Sequence, residues 1–165
     1  TNVLDNYKGK VIADFAVADS GKKKYGLMFM NNAFGKALHD ETVKNLKAQG
    51  AEIVTDVLYE LNKVDYKAEI QRLFTKKPEA VIATFYAKEG MVTAKQAYEM
   101  GMLDVNQVPW YVPEMTSSFA TAMQEIPEVV EGIKGLNPLD PGGLYVEKFK
   151  KKTSLRYSLK VMFGH

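Results

Sequence analysis

The feature that most constrains this chain is an alternation of short, almost wholly apolar runs with longer stretches whose apolar residues recur every three or four positions. Lys24–Met30 (KYGLMFM) is the clearest run, with a lysine before it and Asn31-Asn32 behind it. Apolar residues on both parities of so short a segment predict a strand buried on both faces. Residues 80–86 (AVIATFY) predict another buried strand, and residues 52–59 (EIVTDVLY), 108–112 (VPWYV) and 129–136 (VVEGIKGL) three further strands. Pro109, which cannot donate to a ladder, predicts a strand start.

Between these runs the period lengthens to that of a helix. In residues 10–20, Val11, Ile12, Phe15 and Ala16 share a face, and Gly21 follows as a stop. Residues 33–49 place Leu38, Thr42 and Leu46 inside and Lys36, Asp40, Lys44 and Lys47 outside, with Gly50 as terminator. Tyr66, Ile70, Leu73 and Phe74 form a third stripe that ends before Pro78. Met91, Ala94 and Tyr98 mark the inner face of a fourth helix closed by Gly101, and residues 116–124 predict a fifth. Strands alternating with helices build successive right-handed βαβ units. The expected fold is therefore α/β: a three-layer, Rossmann-like parallel sheet with helices on both faces.

In such sheets ligands sit beyond the carboxyl ends of the strands. Those ends are residues 31–35, 86–90 and 113–117. They carry Asn31, Asn32 and Phe34, then Tyr86 and Glu89, then Glu114, Thr116 and Ser117. Each has a structural alternative. An asparagine caps helices, Phe34 could begin a helix core, and Tyr86 could close the sheet. Glu114 could favour the following helix N-terminus or receive a ligand cation.

Composition sets bounds on the chemistry. The chain has 165 residues, enough for one core, with 46% hydrophobic and 25% charged residues. The net charge is +2, and its one basic cluster, Lys148 with Lys150, Lys151 and Lys152, reads as a solvated helix end, so no nucleic-acid partner is expected. There is no cysteine, which excludes disulfides, thiolate metal sites and cysteine nucleophiles. His39 and His165 are the only histidines and neither has a second ligand at metal spacing. G-x-G-x-x-G, G-x-x-x-x-G-K-[ST] and G-x-S-x-G are all missing. No apolar run reaches the ~18 residues of a membrane span. The expectation is a ligand-holding domain that is no enzyme and needs neither cofactor nor metal. The chain opens with Thr1 rather than Met, which predicts a processed or excised piece.

Taken in order, LDNYKGKVIADFAV, KKKYGLMFMNNAFGKAL, AQGAEIV, VDYKAEIQRLFTKKPEAVIATFYAKEGMVTAKQAYEMGM and VVEGIKGLNP resemble the second lobe of the type I periplasmic solute-binding proteins of the branched-chain amino-acid (leucine/isoleucine/valine) class. The likeness runs over about residues 4–149, from one interlobe crossover (residues 1–6) to the next (residues 137–143). It implies a ligand-binding lobe over residues 1–140 and a crossover and tail over residues 141–165. It also implies a periplasmic or other extracytoplasmic place, a small-molecule ligand (an amino acid or related amine) and the membrane permease of an ABC importer as partner. Matched residue by residue, Phe34 stands where relatives often have Tyr. Tyr86 closes the third strand, with a one-residue slip onto Ala87 as the alternative. Glu114 stands where the ligand ammonium is received. A ligand-sensing receptor or repressor domain of the same fold is the first rival reading, and a flavodoxin-like enzyme the second.

The tail leaves the family's pattern. From Ser154 it reads SLRYSLKVMF, with Leu155, Tyr157, Leu159, Val161 and Phe163 on one parity. That period predicts a half-buried strand, which would pair with its own sheet or join a neighbouring copy as a homodimer, with a frayed terminus as the alternative.

Overall fold

A computed structural model describes residues 3–113 and 125–136, the side chains of residues 3–6 and 87 excepted. Helix α1 (Val3–Ser20) leads into β1 (Lys24–Met30), α2 (Ala33–Ala48), β2 (Glu52–Tyr59), α3 (Lys67–Phe74), β3 (Ala80–Ala83), α4 (Ala87–Glu99) and β4 (Trp110–Val112). A helical turn, α5 (Pro127–Val130), then precedes β5 (Lys134–Gly135). The five strands form one sheet in the order β2-β1-β3-β4-β5, and every pairing is parallel. This is the α/β architecture expected from the sequence.

Chain direction decides which face each helix covers. After β1 the chain steps outward to β2, and after β2 it steps back over β1 to β3 and onward. A right-handed crossover puts helices of opposite steps on opposite faces. The two cores record this. Ile12, Ala16, Leu38 and Leu46 from α1 and α2 pack on Leu27, Phe29 and Ile82 of the sheet. Ile70, Leu73, Ala94 and Ala97 from α3 and α4 pack on Met28, Val81 and Trp110 from the other side. Alternate residues of β1 thus serve opposite cores, which is why that run is apolar at both parities.

Four expectations need correction. The first helix begins at Val3, not at residue 10. The third strand stops at Ala83 rather than Tyr86. Beyond it the Thr84 N–H still reaches Met28 O at 3.0 Å, but the Thr84 hydroxyl accepts from Met30 N–H, and a side chain takes over from the ladder. Tyr98 is 48% exposed, while Thr93, Ala94 and Ala97 form the buried face of α4. Residues 129–136 are not one strand. Pro127 sits in the first turn of α5, where its fixed φ suits a helix. Gly132 then turns the chain at φ 84°, so only Lys134 and Gly135 reach the sheet. Val129 and Val130 are buried all the same, which is why they read as strand.

The expected helix over residues 116–124, the loop 137–143, the basic cluster, His165 and the tail from Ser154 lie outside the described residues.

Candidate ligand site at the strand ends

In the sheet order, β1 and β3 are neighbours whose following helices lie on opposite faces. In sheets of this kind the N-termini of two such helices diverge, and the crevice between them is where ligands bind. Each wall of it has one of the expected aromatics. Phe34 lies in the first turn of α2 and Tyr86 is the N-cap residue of α4. Their rings are parallel to within 15°, with centroids 6.3 Å apart. The sheet has thus brought together two residues distant in the sequence. Phe34 is partly buried and packs on both cores, whereas Tyr86 is 47% exposed at the mouth.

Local chemistry fixes the first wall. Asn32 accepts the Gly35 N–H on its side-chain oxygen at 2.7 Å, so it is the N-cap of α2. Its amide nitrogen points to the Tyr86 hydroxyl at 3.5 Å. Gly35 is buried against β1, and a Cβ there would lie 2.1 Å from the Met30 carbonyl oxygen. No other residue type lets α2 start so close to the strand, and that approach sets where Phe34 points. From α1, Lys8 Nζ lies 5.7 Å from the Phe34 ring centroid, within cation–π range.

The second wall rests on Tyr59 at the end of β2. Its hydroxyl donates to Thr84 O at 2.7 Å, and its ring packs on Phe85 at 6.1 Å and Tyr66 at 5.3 Å. Burial pushes the Tyr59 phenol well above its ordinary range, so it stays a hydrogen-bond donor. Asn31, the other candidate of the first loop, bonds through its side-chain amide to the carboxylate of Glu60. Glu89 is 4% exposed and accepts the Asn62 N–H at 3.1 Å. Glu114, Thr116 and Ser117 lie outside the described residues. Pro113, which precedes them at the end of β4, is buried.

Sequence reasoning missed Glu60 and Lys8. Glu60 had a signal, since it is the first polar residue after an apolar strand end. Lys8 had none, because its place depends on how α1 packs. His39, the described histidine, bonds to Asp40 and Asp56. Among the described residues no group of three His, Asp or Glu side chains could hold a metal ion.

The sequence profile of the periplasmic binding protein family matches residues 2–152. The chain belongs to that family. No curated protein matches this periplasmic binding protein by sequence. Among solved structures it is similar to an ABC-transporter solute-binding protein from R. palustris in complex with benzoate (TM-score 0.68, 18% identity), over 93% of this chain and 42% of that one. The leucine binding protein of Thermotoga maritima gives a TM-score of 0.70 at 18% identity, over 93% of this chain and 45% of that one. A branched-chain amino-acid substrate-binding protein from Streptococcus pneumoniae, in complex with isoleucine, gives 0.67 at 18%, over 93% and 44%. The chain therefore spans under half the length of these relatives, in the manner of one lobe. The family and these neighbours are solute-binding proteins, not enzymes. Among the described residues no helix is long and apolar enough to cross a membrane.

Proposed function

We propose that this periplasmic binding protein chain is one lobe of the solute-binding component of an ABC importer, and that it helps hold an amino acid or related small amine in an interlobe cleft outside the cytoplasm. The observation that carries this reading is the parallel pair Phe34 and Tyr86 at the switch-point crevice. Paired aromatic walls with one exposed hydroxyl suit a small ligand with an apolar body and a polar end. Glu114, next after the buried Pro113, supplies the anion for an ammonium by charge-assisted hydrogen bonding. Residues 1–140 form the lobe in this reading, and residues 141–165 a crossover and tail. The membrane permease is the partner in transport, and no cofactor takes part.

The test is direct. The natural full-length protein is purified under mild conditions, and the small molecules it carries are identified by mass spectrometry. L-Leucine and benzoate are then titrated calorimetrically. An amine-bearing molecule, or leucine binding in preference to benzoate, supports the reading. Binding of benzoate alone would replace the amine by an aromatic acid and remove the role of Glu114.

A further inference from the structure

Glu89 is a buried carboxylate for which the ligand-holding role just described has no use. It is the third residue of α4 and 4% exposed. Its Oε1 accepts the backbone N–H of Asn62 at 3.1 Å. Asn62 has φ 61°, in the left-handed region that non-glycine residues seldom occupy. Seven residues on, and so on the same face of α4, Gln96 grips the other end of the same loop. Its Oε1 accepts the Tyr66 N–H at 2.7 Å and its Nε2 donates to Val64 O at 3.4 Å. Inside the loop the Tyr66 hydroxyl donates to Glu60 O and accepts from Lys63 N–H, both at 3.2 Å.

These bonds form a circuit around the site. Asn31 reaches the Glu60 carboxylate at the start of the loop. Asn62 reaches Glu89 on α4. The N-cap of α4 is Tyr86, whose hydroxyl meets Asn32 beside Asn31. A buried carboxylate with a single N–H partner among the described residues is a costly element in a fold. Its location in this circuit gives it a purpose that packing alone does not.

We propose that Glu89 is a positioning residue: by holding Asn62 it locks the β2–α3 loop (residues 60–66) to the first turn of α4, and so fixes Tyr86 opposite Phe34 before a ligand arrives. The consequence for binding rests on the function proposed above, whereas the lock itself rests on the geometry alone. A preorganised wall raises affinity by reducing the ordering that binding requires.

The experiment uses the full-length protein as wild type, Glu89→Ala and Glu89→Gln. Hydrogen exchange is read over residues 60–66 and 85–90, and affinity is read for L-leucine and benzoate as probes. Glu89→Ala should speed exchange in those two segments alone and weaken the probe that the wild type binds by about tenfold, a change of about 1.4 kcal/mol. Glu89→Gln, whose amide oxygen can still accept from Asn62 N–H, should restore both. Three results would overturn the proposal: faster exchange spread evenly over the lobe, unchanged affinity in Glu89→Ala, or a Gln variant as impaired as the Ala one. If the wild type binds neither probe, it is the functional reading that fails. The exchange pattern then decides the lock on its own, localised change supporting it and uniform change overturning it.

Discussion

His39 Nε2 lies 2.8 Å from Asp56 Oδ2, and its Nδ1 lies 3.0 Å from Asp40 Oδ1. The ring, 16% exposed and edge-on to Phe29, thus ties α2 to the outer strand β2. The hydrogen bond to Asp56 raises the His39 pKa above its ordinary 6.5, against an opposing effect of burial, with Asp40 adding to the rise. A raised folded-state pKa contributes stability that is complete below the unfolded value and lost as pH rises through the folded one. His39→Gln should therefore cost about 0.5–1 kcal/mol at pH 5.5, the range of a partly exposed charge pair, and much less at pH 8.5. Thermal denaturation of both proteins at the two pH values checks this. An equal gap at both would show that the imidazolium contributes nothing.

Asn32 has two duties, as N-cap of α2 and as neighbour of Tyr86. Asn32→Ala should lower stability by about 1 kcal/mol, as loss of a cap does. Asn32→Ser, which keeps the cap oxygen but not the amide, should recover most of it. Urea midpoints of the two variants separate the cap from the contact with Tyr86.

Gly35→Ala puts a methyl group 2.1 Å from the Met30 carbonyl oxygen, far inside van der Waals contact with a backbone atom. The first turn of α2 must shift, and the expected loss is about 2–3 kcal/mol. Because Phe34 is its neighbour, the same substitution should weaken ligand binding by the full-length protein. Wild-type affinity together with lowered stability would separate Gly35 from the site.

Glu114→Gln in the full-length protein should weaken binding of an amine ligand by about 2–5 kcal/mol if the ion pair is desolvated on closure. Calorimetry showing unchanged affinity would remove Glu114 from the site.

The 165-residue chain on its own should bind leucine in the millimolar range or not at all. Its walls are half a cleft, and about 1 mM corresponds to only −4.1 kcal/mol. Micromolar binding, measured by equilibrium dialysis, would contradict the one-lobe reading.

How much of this could be read in advance depended on what each residue answers to. β1 and β2 match their sequence expectation residue for residue, because their apolar runs are bounded by Asn31-Asn32 after β1 and Gly50 before β2. The overrun of β3 came from Thr84, Phe85 and Tyr86, good strand formers by composition that leave the ladder where the Thr84 hydroxyl takes the Met30 N–H. Phe34 and Tyr86 were legible since topology alone sends strand-end residues to one rim. The hold of Glu89 on Asn62 was not. A backbone N–H is the same at every residue, and the left-handed turn of Asn62 arises from the loop's closure rather than from its letters.

Helix α1 has a mechanical consequence. Its 18 residues make a rod of about 27 Å. A third of the way along it Lys8 sits over Phe34, and Gly9 lies so close to α2 that a Cβ would meet the Glu41 Cβ at 2.8 Å. Near its C-terminal end Asp19 receives the Tyr111 hydroxyl at 2.6 Å and the ammonium of Lys134. β5 has two residues, and this tie adds to its short ladder with β4. One continuous helix therefore touches both the Phe34 side of the strand ends and the β5 edge of the sheet, so a change at either contact is felt by the same element.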